Sequence, residues 1–357
     1  MDSRPSPCVL PDRVDCAVVG GGFTGLAAAA WVRRLDPRKS VVVLEAERIG
    51  AGSSGHTGGI ALGETAAGDL PGLGDVLSGF RETLKDLAVD CDLTLSGVWE
   101  LGHHGGIAGS PISWQDSGVL EVAREVAGGT IDPRKMLSGL ARTAESAGAM
   151  IIENSPLDGI QFGDPLRLKV GRKELVAGHA IVATNAQSLD LSGIAGRGEP
   201  KFTLAVATKP LPDATLETLG LTSRKPFYTI DLPYLWGRLL KTNGVVFGSG
   251  LIHLEDWREL AEVDVGRGEA ARLVALLEKR VRGLHSELGE VQFTHRWGGP
   301  NLFADGWRPV FERHINSPRV IVIGGFSGHG VALSVYLGRW AAEAMMMGRE
   351  MPRWVGR

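Results

Sequence analysis

The chain opens on two short, unbroken apolar runs, DCAVVG (Asp15–Gly20) and SVVVLEAE (Ser40–Glu47), on either side of an alanine-rich stretch, Gly25–Leu35, with helical spacing. Arg33, Arg34 and the pair Asp36-Pro37 close that stretch as a helix closes. Strand, glycine turn, helix and strand within about 30 residues form one βαβ unit, whose parallel strands need helices on both faces. The N-terminal third is therefore read as α/β. The pattern then predicts a helix over Val76–Asp90, a strand over Gly97–Leu101, a helix over Pro133–Ala147 and a buried strand in HAIVATNA (His179–Ala186).

Beyond Pro200 the texture turns β-rich, in KFTLAVATKP, FYTIDLPYLWGRLLK and GVVFGSGLI, with one long helix expected over Asp264–Leu284. The last segments, RVIVIGG and GVALSVYLGRWAAEAMMMG, restore the strand–turn–helix style of the start. A discontinuous first domain over residues 1–95, 129–200 and 300–357 is expected, with a second over 96–128 and 201–299. At 357 residues the chain is long enough for both.

Charge and cysteine content narrow the partners. With 38 basic and 41 acidic side chains the net charge is −3, and no long block of one sign suits a phosphate backbone, so nucleic acid is not expected. Cys8, Cys16 and Cys91 lack CxxC spacing and are read as free thiols in a reducing cytoplasm. The uncharged stretch Cys16–Val32 is shorter than the roughly 20 residues a bilayer needs and carries four glycines, so it is read as buried, not membrane-spanning. No secretory signal is expected before it. His103 and His104 are adjacent, so on a strand they point to opposite faces, and no metal is expected there.

The glycines carry the chemistry. Gly20, Gly22 and Gly25 fit GxGxxG: one for the tight turn, one for close approach of backbone N–H groups to a pyrophosphate, one for packing the helix on the strand. The helix N-terminus turns its positive end toward the phosphates. Glu45, at the tip of the next strand and 20 residues after Gly25, is placed to bind ribose hydroxyls. A tight glycine turn alone would explain the first motif but not the acid. The motif leaves NAD and FAD open. Residues 50–75 are too glycine-rich for a regular element and too long for an idle loop, and are expected to touch the ligand.

VVGGGFTGLAAA, GAGSSGHTGG, DPRKMLSGLARTAESAGA, IVATNA, WGRLL…VVFGSG, WGG and GGFSGHGVAL stand in an order that resembles the flavin-dependent amine and amino-acid oxidases, the family of D-amino-acid oxidase, glycine oxidase and sarcosine oxidase. Its gamma-glutamylputrescine oxidase branch is the most similar. The resemblance spans most of the chain. It implies FAD, a Rossmann-like FAD-binding domain and a β-rich substrate domain, an α/β fold with an α+β second part.

For the cofactor, the resemblance adds Phe23, Thr24, Ala46, Ala183 and Thr184 to the glycine motif. It lays Ser53, Ser54, Gly55, His56, Thr57, Gly58 and Gly59 along the flavin ring, and sets Gly325, Phe326, Ser327, Gly328, His329, Gly330 and Val331 at a helix start facing flavin N1 and the C2 carbonyl. His56 has two readings, covalent attachment to the flavin as in related dehydrogenases, or a hydrogen-bonding loop histidine. The cysteine tether of some relatives is excluded, since no cysteine follows Cys91.

For the substrate, the resemblance aligns Trp236-Gly237-Arg238 with an aromatic-aromatic-arginine strand lining the pocket, Tyr234 preceding it. Arg238 is either an anchor for a substrate carboxylate or a surface arginine on a strand. Trp236 either walls the pocket or packs in the sheet. Trp297 either packs near the flavin or sits in the core. The stretch 102–132 lacks the extended helical cover of relatives, which points to a more open site. The expected reaction is oxidation of an amine or amino-acid C–N bond with dioxygen as acceptor. A non-amine dehydrogenase using a quinone or flavoprotein, and a non-catalytic FAD-binding subunit, are the alternatives.

Overall fold

In a computed structural model, which describes residues 9–352 and Trp354, the chain folds around two eight-stranded sheets. The first runs in the order Val310–His314, Ser317–Gly324, Lys173–Val182, Arg13–Val19, Val41–Leu44 and Met150–Ile152, with Leu166–Val170 and Gly159–Gln161 as a side arm on Lys173–Val182. Ser317–Gly324 through Met150–Ile152 are parallel to one another. Val19 pairs with both Leu44 and Val182, so these strands end level and their following loops open onto one edge.

Parallel strands are buried on both faces, which is why Val41–Leu44 reads as VVVL without alternation. The helix Phe23–Leu35 packs against both Pro133–Ser146 and Gly330–Met346 beside that sheet. Their closeness depends on small residues. Ala27 to Ala30 are fully buried, and a Cβ on Gly338 would stand 2.6 Å from the Thr24 carbonyl oxygen of the facing helix. Asp132 caps Pro133–Ser146 by accepting from Arg134 N at 2.9 Å and Lys135 N at 3.0 Å.

The second sheet runs Phe293–Ala304, Gly198–Thr208, Val245–His253, Trp236–Leu239, Phe227–Thr229, Val98–Gly102, Val119–Val126 and Ser113–Gln115. The helix Gly268–Leu284 lies against it, burying Val274, Leu277, Val281 and Leu284. Phe293–Ala304 stays in this sheet through Ala304 before the chain returns to the first.

Several expected elements shift. The helix from Val76 stops at Asp86, because Ala88 turns left-handed at φ 52°. The helix ending at Leu284 starts at Gly268, since Asp264 instead holds a turn by accepting from Gly266 N at 2.8 Å. Ile60–Leu62, inside the glycine-rich segment, pairs with Gly128–Thr130. The stretch 102–132 joins the second sheet through the strands Ser113–Gln115 and Val119–Val126. Its Trp114 is core, edge-on to Phe227 at 5.0 Å and donating from Nε1 to Leu219 O at 3.1 Å.

Cys16 and Cys91 are buried free thiols whose pKa values burial pushes up to about 12, so both stay protonated; Cys8 lies outside the described residues. No helix among the described residues is long and apolar enough to cross a membrane.

Candidate active site

A cavity of about 1940 Å³ runs from the level strand ends of the first sheet to the face of the second. At its first end lies the turn after Arg13–Val19. Gly20 has φ 107°, and a Cβ there would stand 2.7 Å from Ala183 O. A Cβ on Gly25 would collide with Gly20 O, so Gly20 and Gly25 exclude a side chain, while one on Gly22 would come within 2.9 Å of Ser54 Oγ and displace it. Gly20, Gly22, Phe23 and Thr24 line the cavity, whereas Gly25 serves the packing beneath it. The helix Phe23–Leu35 has no side-chain cap and no acid in its first turn, so its amide end is left for an anion, apart from Phe23 N, which donates to Ser54 Oγ at 3.0 Å.

Glu45 and Ala46 also line this end. Glu45 accepts from Gly21 N at 2.6 Å and Glu47 N at 3.0 Å, and burial raises its pKa against those bonds. Each carboxylate oxygen keeps lone-pair capacity for a hydroxyl donor.

Two loops meet at the middle. Ser53–His56 forms a single helical turn; Ser53, Ser54, His56, Thr57 and Gly58 line the cavity while Gly55 and Gly59 pack behind. His56 Nδ1 bonds Gly52 O at 2.8 Å, so this nitrogen carries the proton. The other loop, Gly325 to Gly330, starts the helix Gly330–Met346, with Phe326 through Val331 on the lining and Gly325 behind them. Burial lowers the His329 pKa, which favours the neutral imidazole. Ala183 and Thr184 complete the lining, and Thr184 Oγ1 is buried with no hydrogen-bond partner.

Sequence reasoning missed the residue that ties these loops together. Asn185 accepts from Gly325 N at 2.9 Å and donates to Ser53 Oγ at 3.0 Å, and Ser53 Oγ in turn donates to Pro300 O at 2.7 Å. Its place directly after the conspicuous Ala-Thr of IVATNA was the available signal.

At the far end the expectations divide. Trp236 does wall the cavity, its ring wedged where Gly58 and Gly248 leave room, and Tyr234 lines it too. Arg238 does not. Its Nη1 donates to Ile131 O at 2.5 Å and Gly59 O at 3.4 Å, its Nε is buried without a partner, and it is absent from the lining, so it is neither a surface arginine nor a group facing this cavity. Arg238 shares a strand face with Trp236, so the cause is local packing: the Gly59 and Ile131 carbonyls accept from its Nη1 and hold it behind the lining. Trp297 is likewise behind the wall, donating from Nε1 to His56 O at 3.0 Å.

The polar groups facing the cavity here are others. Phe227–Thr229 pairs parallel with Val98–Gly102, which pairs with Val119–Val126, so Tyr228, Glu100 and Arg124 fall in one row. Tyr228 donates to Glu100 at 2.9 Å, and Arg124 holds both Glu100 oxygens at 2.9 Å. Burial works to raise the Glu100 pKa, but those bonds outweigh it and the net shift is downward. Glu64 faces the same space. No local motif marks this set; three separate strands supply it.

A glycine cradle, a free helix end, the Glu45 carboxylate beside them and an unpartnered hydroxyl form a donor and acceptor set that fits a flavin dinucleotide. The family model described as DAO, FAD dependent oxidoreductase, matches residues 15–344. The chain belongs to this family of FAD-dependent oxidoreductases.

Its relatives include the probable oxidoreductase OrdL of Haemophilus influenzae, 25% identical with 97% of this chain and 86% of that protein covered. Gamma-glutamylputrescine oxidoreductase of Escherichia coli is 26% identical, with 93% and 83% covered. Among solved structures, L-proline dehydrogenase from P. horikoshii superposes with a TM-score of 0.75 at 17% identity, covering 97% and 96% of the two chains. Glycine oxidase from Geobacillus kaustophilus gives 0.72 at 18% identity, covering 96% of each. These structures share the oxidoreductase's fold.

Proposed function

We propose that this FAD-dependent oxidoreductase oxidises the C–N bond of a small amine or amino acid, and that the single cavity joining the glycine cradle to an aromatic wall carries that reading. The part over 1–95, 129–200 and 300–357, which supplies the strands of the first sheet, is assigned to FAD, and 96–128 with 201–299 to the substrate. Gly20 to Gly25 and the helix end receive the pyrophosphate, and Glu45 a ribose. Ser53 to Gly59, Ala183, Thr184 and Gly325 to Val331 surround the flavin.

Bound FAD supplies a two-electron acceptor for hydride from the carbon bearing nitrogen. The neutral amine gives up that hydride, and the nitrogen then loses a proton. The product leaves as an imine, which water hydrolyses to an oxo compound and ammonia or a smaller amine. Trp236, Tyr234 and Tyr228 orient the donor and limit water around it, work that requires positioning and no strong base. The start of Gly330–Met346 favours negative charge developing beside it. Dioxygen is the assigned acceptor, giving hydrogen peroxide, and the cytoplasm the assigned compartment.

Anaerobic titration of the purified protein with amines, amino acids and 2-hydroxy acids, following flavin absorbance at roughly 450 nm, tests the reading. Bleaching by an amine or amino acid, with peroxide formed on readmitting air, is expected. Bleaching by hydroxy acids alone would replace it with C–O oxidation, and bleaching by dithionite alone with a non-catalytic role.

A further inference from the structure

The substrate end of the cavity has an uneven charge. Arg124 is bound through two nitrogens to Glu100, which neutralises the pair. Tyr228 keeps its proton, because burial and the neighbouring carboxylates push its pKa up, and it is spent as a donor to Glu100. Glu64 is different: half-buried, on the same lining, and in no ion pair among the described residues. Burial raises its pKa despite Arg124 and the Tyr228 hydroxyl nearby. Asp69, on the next turn of the same segment, adds another carboxylate to the lining.

The aromatic wall points the same way. Tyr228, Tyr234 and Trp236 line this space, and aromatic faces attract cations. Glu64 is half-buried on this lining, and a ligand cation would offset the cost of its partial desolvation. Arg238, which would have reversed the balance, is turned away onto the Ile131 and Gly59 carbonyls.

We propose that Glu64, framed by Tyr228 and the Glu100–Arg124 pair, selects substrates carrying a second, cationic group away from the oxidised nitrogen: diamines and related polyamines in preference to substrates with a free carboxylate. This rests on the C–N oxidation reading for the site. Arg308 is the other guanidinium on the lining, exposed beyond the turn Asp305–Trp307, and is the residue that would anchor a carboxylate if the preference ran the other way.

The test uses the FAD-loaded protein and a series matched in chain length: butylamine, putrescine and gamma-aminobutyrate as reductants. Putrescine is expected to exceed both others in kcat/KM by at least tenfold. Glu64→Gln is expected to reduce the putrescine-to-butylamine ratio about tenfold, with Glu64→Asp restoring part of it. Binding of the unreactive pair butyltrimethylammonium and pentanoate, read as perturbation of the flavin absorption, tests charge preference without turnover. If no amine reduces the flavin yet the ammonium ion binds at least tenfold tighter and loses that margin in Glu64→Gln, the charge preference holds and C–N oxidation fails. Tighter pentanoate binding, particularly if abolished by Arg308→Ala, overturns the proposal, as does a Glu64→Gln variant with unchanged ratios.

Discussion

Asn185 and Ser53, far apart in sequence, are joined by a 3.0 Å hydrogen bond, and the same Asn185 side chain holds Gly325 N at 2.9 Å. Three loops from three strand ends are thereby fixed around the middle of the cavity. Asn185→Ala removes both bonds, each worth about 1 kcal/mol. FAD affinity is expected to fall about tenfold, measured by fluorescence quenching when apoprotein is titrated with FAD. Unchanged affinity would mean that the loops hold their places without it.

Gly20 combines φ 107° with the Ala183 carbonyl 2.7 Å from any Cβ. Gly20→Ala is expected to destabilise the protein by at least about 1 kcal/mol and to reduce bound FAD. Thermal unfolding and the flavin-to-protein absorbance ratio check this together.

Arg238 donates to the Ile131 and Gly59 carbonyls behind Trp236. Arg238→Met strips the Ile131 and Gly59 carbonyls of their donor, an expected loss of about 2 kcal/mol for a charge-assisted bond. Its KM values are expected to move together for substrates with and without a carboxylate. A KM rise confined to carboxylate substrates would restore the anchor reading.

Histidine protonation makes the fold acid-sensitive. Burial, the largest cause for each, lowers the pKa of His179, His314 and His329 below the ordinary 6.5. The unfolded chain then binds protons that the folded one does not, so their contribution is full above 6.5 and is lost as pH falls through the lowered folded-state values. Tm is expected to drop between neutral pH and pH of about 5, and His314→Gln to flatten part of that drop. Differential scanning calorimetry across that range decides it.

His56 bonds the Gly52 carbonyl through Nδ1 inside its own helical turn, which locks the ring in place. Non-covalent FAD is expected. Acid precipitation should leave the yellow colour in the supernatant, and a fluorescent protein band on a denaturing gel would show a covalent link instead.

Local pattern was enough to read the cradle, because each of its demands is met by neighbours in sequence. Gly20, Gly22 and Gly25 lie within one turn of chain, and the run Val41–Leu44 ends on Glu45 by strand geometry alone. Backbone conformation and short-range sterics act over a few residues, so they leave a signature in a few residues. The α/β class followed from the same signals, through continuous apolar runs alternating with helical spacing.

The substrate end depends on distances along the chain that no window spans. Glu100, Arg124 and Tyr228 come together only because a parallel pairing and an antiparallel one share the strand Val98–Gly102. Arg238 and Tyr228 stand on neighbouring paired strands, yet packing against Gly59 turns the arginine away from the space where the tyrosine faces Glu100. Sheet register and side-chain packing are collective, set by the whole core at once, so which of two similar polar residues meets the cavity is decided in three dimensions.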